Sequence, residues 1–323
     1  MNAARFMFLL ALIVSPTTRA AIDLHTPTDT QVYIAIDVRQ AFDSEFFRDN
    51  LLDPARDLLA QLPGVNETLK ELRLDPFKDV DRLVLASPGT QGNDRGLVVA
   101  YGRFDVDKFK TRVERLKKDN DDSVTLHEVP LGGGVKHAVY EVAIPGMESG
   151  AFVALKDGKT LLVSPGKDYV VDALKAARLK TKPTLKNKEM QTLIESLEAA
   201  KQVLTVALPG SALTAVDDLV PGGGAALKGI AAIGGGATFG KELRFDLAIT
   251  CHSEENAMEI RSKLDKGVKL ATAALALLGE EKKELSLLFE LVKSIRTIGK
   301  GKAVGVSARV TAETLQDLFG KGG

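Results

Sequence analysis

Three features of the sequence predict an α+β protein of two related lobes, each an antiparallel-rich sheet with helices packed on one face. Short apolar runs come in pairs joined by turn residues. Amphipathic segments with polar caps follow those pairs. The order of strand, strand pair, capped helix and turn then recurs in the second half of the 323-residue chain.

The first strand is Val32, Ile34 and Ile36, alternating with Tyr33 and Ala35 and ending at Asp37. From Ala41 to Leu72 apolar residues recur at helical spacing, broken by Pro54 and Pro63-Gly64, which predicts two or three helices. Val80, Leu83 and Leu85 pair with Leu97, Val99 and Tyr101 across a loop rich in Gly, Asn and Asp. Asp105 then caps a helix from Val106 to about Lys118, with Phe104 stapled to Phe109. Val124 and Leu126 make a second hairpin with Val135, Val139, Val142 and Ile144 around Gly132 to Gly134. Asp157-Gly158 marks a third, because both central residues of the tightest hairpin turn need a positive backbone angle. Helices follow from about Asp168 to Ala177 and from Lys188 to Ala200, joined by a solvated basic linker that ends at Pro183.

The second half repeats this order. Val203 to Leu208 matches the first strand, and Ile230 to Phe239 with Leu243 to Cys251 match the first hairpin. Ser253 caps a long helix with an apolar face through Ala257, Ile260, Leu264, Val268, Ala271, Leu275 and Leu278. The turn Gly299 to Lys302 joins two further strands, and Thr311 caps a final helix through Leu318. A middle hairpin is missing, so the repeat is a diverged duplication. The lobes are 21–182 and 183–323.

Residues 1–20 have the form of a secretory signal peptide. Arg5 precedes an apolar run from Phe6 to Val14, and small residues lead to a cleavage site after Ala20. The run is too short to span a bilayer, although retention of the segment as an anchor is the alternative. The expectation is therefore an exported protein, periplasmic or extracellular, with no integral span after cleavage. Cys251 is the single cysteine and lies in an apolar strand, where it suits a buried small hydrophobe.

The 43 basic residues balance 43 acidic ones and no basic stretch is interleaved with aromatics, which excludes the usual footprint of a nucleic-acid binder. With no Trp and 5% aromatics, a stacking platform for sugars or bases is also unexpected. Gly235 to Glu242 has the spacing of a phosphate loop, but Glu242 stands where Ser or Thr should follow the lysine, and a strand follows instead of a helix; a glycine-rich strand edge or bulge accounts for it. His127 and His137, with Glu128 and Glu141, could hold zinc, but Glu128 points away from His127 on a regular strand, and exposed cross-strand polar residues account for all four. Ser164 with Lys167 has the makings of a nucleophile and its base, yet Ser164-Pro165-Gly166 is explained as a turn into a capped helix, and Ser87-Pro88-Gly89 shows the same tripeptide used as a plain loop. The run Asp119 to Asp122 lacks the glycine of a calcium loop, and Asn66 opens a glycosylation sequon. No catalytic residue is assigned, and neither a cofactor nor a metal is expected.

The strings FVALKDGKTLLVSPGKDYVVDALKAA, LKNKEMQTLIESL, LDPFKDVDRLVLAS and GRFDVDKF resemble a set of secreted proteins of planctomycete-type bacteria without a known activity. The resemblance covers most of the mature chain. Its motifs are turns, caps and core positions, so it bears on architecture and transfers no site residue. The sequence thus points to an exported, non-enzymatic protein with a ligand-binding or envelope-associated role and a protein or envelope partner. The alternative is an exported hydrolase whose site lies in a cleft between the lobes.

Overall fold

The computed structural model describes residues 22–61, 69, 74–89, 95–119, 124–143, 150–180, 182–213, 227–240, 242–278, 286–311 and 313–314. Residues 1–20, the Asn66 sequon, Asn120 to Asp122, Ile144, Gly222 to Gly224, Lys241 and the end of the expected final helix lie outside the described residues.

The chain is α+β. Strands β1 (Val32–Asp37), β2 (Val80–Ser87), β3 (Leu97–Gly102), β4 (Val124–Pro130), β5 (Lys136–Val142), β6 (Ala151–Asp157), β7 (Thr160–Ser164), β8 (Leu204–Pro209), β9 (Ile230–Phe239), β10 (Glu242–Cys251), β11 (Arg296–Lys300) and β12 (Ala303–Thr311) form one sheet. Its order is β11-β12-β10-β9-β8-β1-β2-β3-β7-β6-β5-β4, and every neighbouring pair is antiparallel. From the central pair β1 and β8 outward, both halves run through the same series: β1-β2-β3-β7-β6 on one side, β8-β9-β10-β12-β11 on the other. The hairpin β4-β5 extends the first half alone.

Direct cross-strand partners share a face. One row therefore crosses all twelve strands: Thr297, Val306, Leu247, Gly235, Val206, Ile34, Leu85, Val98, Val163, Val153, Tyr140 and Leu126. The helices are α1 (Val38–Asp43), α2 (Glu45–Asn50), α3 (Leu52–Gln61), α4 (Pro76–Asp79), α5 (Val106–Asp119), α6 (Lys167–Leu179), α7 (Lys188–Ala199), α8 (Glu254–Leu278) and α9 (Ser286–Ser294). Phe109 and Val113 of α5 pack with Val153 and Leu161, and Ala257 and Ile260 of α8 with Ile249 and Val304. On the reverse face, Val170 and Leu174 of α6 and Met190, Leu193 and Ile194 of α7 cover Tyr33, Ala35, Val84 and Leu162. Helices thus lie on both faces of the sheet, where the sequence led us to expect one covered face. The reason shows in β7, which buries Thr160, Leu161, Leu162 and Ser164 and so hides side chains of both alternations. This reverse-face core includes Leu162 and Val170 from before position 183 and Leu185, Leu193, Ala207 and Ala232 from after it.

The caps form as the sequence predicts. Asp105 Oδ1 accepts from the Lys108 amide at 3.0 Å, Ser253 Oγ from the Asn256 amide at 3.1 Å, and Thr311 Oγ1 from the Thr314 amide at 3.3 Å. Helix α9 is not foreseen in the sequence, although Leu287 and Leu291 are one turn apart and pack with Phe46 and Val310. The apolar face of α8 is buried less continuously than its pattern suggests. Ala257, Ile260 and Leu275 are buried, whereas Leu264, Val268 and Ala271 are half-buried. A helix of 25 residues spans about 37 Å, and Ala257, Ile260 and half-buried Leu264 in its first half pack with Ile249, Cys251 and Val304 of the sheet. Among the described residues no helix is long and apolar enough to cross a membrane.

Candidate functional site

A cavity of about 950 Å³ opens between the segment preceding β1, the start of α6 and the linker from α6 to α7. Three elements shape it. Residues 25–29 run along one wall, held where the Lys186 amide donates to Thr28 O at 2.7 Å and Asn187 Nδ2 to Gln31 Oε1 at 3.1 Å. Ser164 fixes the entry to α6: its hydroxyl donates to Gly96 O at 2.5 Å and accepts from the Gly166 amide at 3.0 Å. Arg95 and Tyr169 close the third side. Arg95 lies 5.6 Å from the Tyr169 ring centroid and donates to Asp29 Oδ2 at 2.9 Å, and Tyr169 donates to the same oxygen at 2.8 Å. Burial together with the Asp29 carboxylate pushes the Tyr169 hydroxyl up to about 12.

Beneath this wall sits a buried polar cluster. The Tyr101 hydroxyl donates to Asp23 Oδ2, and the His25 amide donates to Asp23 Oδ1 at 2.9 Å. His25 Nδ1 stands 3.2 Å from Asp23 Oδ1 and 2.8 Å from the Tyr101 oxygen. Since the one Tyr101 proton is spent on Asp23, Nδ1 carries the hydrogen and donates. Burial works to raise the Asp23 carboxyl, but the bonds from His25 and Tyr101 outweigh it and hold the group below the usual carboxylate range. The same burial and the adjacent carboxylate push Tyr101 far above the usual phenol value. His25 is 4% exposed and lines the cavity, with its Nδ1 edge turned to Asp23 and Tyr101 and Nε2 left without a partner. Thr26 Oγ1, also buried on this wall, has none either. Two unpaired buried polar atoms on one cavity wall cost stability unless something hydrogen-bonds them.

Charge on the walls is mixed. Lys167, Lys182, Lys186 and Arg95 face Asp29, Asp168 and Asp172. Arg95 and Asp29 pair, and Asp172 stands 4.0 Å from Lys175. No ion pair between Lys167, Lys182 or Lys186 and another described residue is present. Helix α6 starts at this cavity on Gly166, whose lack of a side chain leaves the first amides without a side-chain cap.

A smaller cavity, about 150 Å³, lies where β1 meets β8 and is lined by Asp37, Gln40, Arg82, Glu198, Lys201, Gln202 and Thr205 among others. Its carboxylates are engaged within the fold. Asp37 caps α1 through the Gln40 amide, and Glu198 accepts from Tyr33 at 2.9 Å and from Arg82 at 2.6 Å. Gln202 Oε1 is buried there without a partner. The space suits a few waters better than a substrate.

The residues singled out in the sequence are dispersed. His127 faces Val139 and bonds Glu141 at 2.8 Å, while His137 faces Val129 and bonds Leu155 O at 3.2 Å. Burial lowers the His137 imidazole despite that last bond. Glu128 pairs with Lys136. Among the described residues no three metal-ligating side chains come together. Ser164 is a buried turn residue, as expected, but Gly166 rather than a local oxygen stands at the cap of α6. Gly235 to Phe239 end strand β9, which is interior to the sheet rather than at its edge, and the bulge expected there falls instead at Thr250/Cys251. Glycine is required for close approach: a Cβ on Gly234 would stand 2.6 Å from the backbone oxygen of Val206, and one on Gly236 2.1 Å from that of Leu204. Cys251 is buried, and burial raises its thiol. No spacing in the sequence marks His25, Arg95 and Lys182 as neighbours, because they come from three loops that only the packing of α6 brings together.

No family model matches the sequence, and no curated protein does. Among solved structures, crystal forms I and IV of the treponemal protein TP0453 are similar at TM-score 0.44, with 11% and 12% identity, over 94% of this chain and 98% and 99% of those chains.

Proposed function

We propose that the protein is an exported, non-enzymatic binding protein whose ligand is a small polar molecule held in the cavity at the start of α6. The observation that carries this reading is the cavity itself. At about 950 Å³ it is of small-molecule size, and its walls gather lysines without an ion-pair partner among the described residues, a helix start without a side-chain cap and two residues whose buried polar atoms lack partners. These are groups for recognition. Export rests on the signal-like segment 1–20 and predicts a mature chain that begins at Ala21, which intact-mass measurement of the exported protein checks.

The test of binding is a thermal-shift and calorimetric screen of small polar compounds against wild type and Ala176→Trp. Ala176 lines the cavity and is half-buried, so an indole there fills the space with little cost to the core. A ligand that binds wild type and is lost in the variant supports the reading. Compounds that bind both equally, or none of any class, overturn it.

One observation favours a second reading, an exported hydrolase. Asp23 and His25, on the wall of the cavity, form the carboxylate-imidazole half of a base relay, with Nε2 buried and without a partner. No described hydroxyl or thiol bonds Nε2, so water would have to be the nucleophile. Turnover of nitrophenyl esters or phosphates by wild type, abolished in His25→Gln, would establish it.

A further inference from the structure

We propose a second binding site, on the face of the sheet opposite the α6 cavity, for a long-chain fatty acid, with its hydrocarbon chain laid across the middle strands and its carboxylate at Arg112.

The floor of the site is part of the row that crosses the sheet. From β3 to β10 that row reads Val98, Leu85, Ile34, Val206, Gly235 and Leu247, with Phe245 two residues along β10, and no side chain in it carries a hydrogen-bonding group. On the reverse face α6 and α7 seal the same strands, and Val99, Val84 and Ala35 are almost wholly buried. Here Leu85, Leu247 and Phe245 are 38%, 36% and 42% exposed, and Val98, Ile34 and Val206 are half-buried. None of the six belongs to a hydrophobic core among the described residues. Helices α5 and α8 pack on the strands to either side and leave this floor between them. Six strands at about 4.8 Å spacing make it about 24 Å long. One acyl chain in a bilayer spans about 15 Å, half of the hydrocarbon core, so the floor has room for a long chain.

The acidic head follows from Arg112. Phe109 and Val113 of α5 pack with Val153 and Leu161. Burial, and after it the charge of Glu114, raises the Tyr140 hydroxyl of β5, which places Glu114 on the β5 flank of the helix. Arg112 stands two residues before Glu114, about 200° around the helix, and so on the other flank, toward β7, β3 and the floor. It is half-buried, its Nε is buried without a partner, and it forms no ion pair with a described residue. A guanidinium in that position is completed by an oxyanion, and its planar fork takes a carboxylate in two parallel bonds. A second copy of the chain fits less well. Six side chains, none more than 42% exposed, offer far less than the about 800 Å² per partner that a stable dimer buries.

The experiment is isothermal titration of the full chain with octanoate, dodecanoate and the uncharged 1-dodecanol, each kept below its micellar or solubility limit. Dodecanoate should bind one to one, at least about tenfold tighter than octanoate, because four more methylenes leave water. Arg112→Gln should weaken dodecanoate about tenfold or more and leave dodecanol unchanged, as loss of a charge-assisted pair requires. Leu85→Gln and Leu247→Gln, at partly exposed positions outside the described cores, should each weaken both probes. Leu277→Gln, 89% exposed on α8, should change neither. Ala176→Trp fills the cavity on the other face and should also change neither, so this site and the polar-ligand cavity stand or fall separately. No binding of dodecanoate, binding insensitive to Arg112→Gln, or equal loss in Leu277→Gln and Leu85→Gln would each overturn the site. Loss in Ala176→Trp would move the chain to the α6 cavity and overturn it too. A dimer in sedimentation that Leu85→Gln separates would make the floor an interface between copies. Capture on phosphatidylglycerol vesicles without uptake of monomeric dodecanoate would make it a lipid-surface contact, and either result would sink the soluble fatty acid.

Discussion

Asp23 shows how much rests on one side chain. It accepts from a tyrosine, an imidazole and a backbone amide, and its folded carboxyl is held below the ordinary 3.8. A depressed carboxyl contributes stability that is present above the unfolded value and is lost as pH falls through the folded one. Asp23→Asn should therefore cost about 2 kcal/mol near neutral pH, the worth of a hydrogen-bonded charge. That deficit should shrink as the pH is taken from about 4 toward 2. Urea melts of both proteins across that range check it; a deficit independent of pH would place the effect in packing. His137 works in the same direction at higher pH. Its lowered imidazole resists protonation when folded, so the unfolded chain takes up more protons and stability declines on acidification below about 6.5.

Helix α8 makes the corresponding point for an element. Its sequence keeps an apolar face over about seven turns, yet the structure buries the early positions and Leu275 and leaves the middle half-exposed. Periodicity shows which side a helix would bury, and the length of its partner shows how much of that side is buried. Ile260, 7% exposed and packed with Ile249 and Val304, should cost about 2 to 4 kcal/mol on truncation to Ala. Leu277, 89% exposed, should change stability by less than about 0.5 kcal/mol. Half-buried Leu264 should fall between them. Denaturant melts of the three variants decide it, and equal shifts at Ile260 and Leu277 would mean that α8 does not sit on the sheet as described.

Across the whole molecule, the pairing of β1 with β8 joins the matching strand series into one sheet, and the core on the α6 and α7 face draws on both. The halves should therefore unfold together. Circular dichroism and hydrogen exchange should report one coincident transition, and two separated transitions would show independent cores. The sequence by itself determined the α+β class, the hairpins, the caps at Asp105 and Ser253, and the recurrence of order in the two halves. Each is local: a strand pair with its turn, or a cap with its first helical turn, is specified by residues a few positions apart. Only the tertiary structure decided that the strands share one sheet, that α6 and α7 cover one face while α5 and α8 cover the other, and that His25, Arg95, Lys167 and Lys182 border one cavity. Those depend on which apolar faces meet across more than a hundred residues of chain. Alternation tells a strand which side to bury and is silent about its partner, and a site assembled from three loops has no spacing of its own to read.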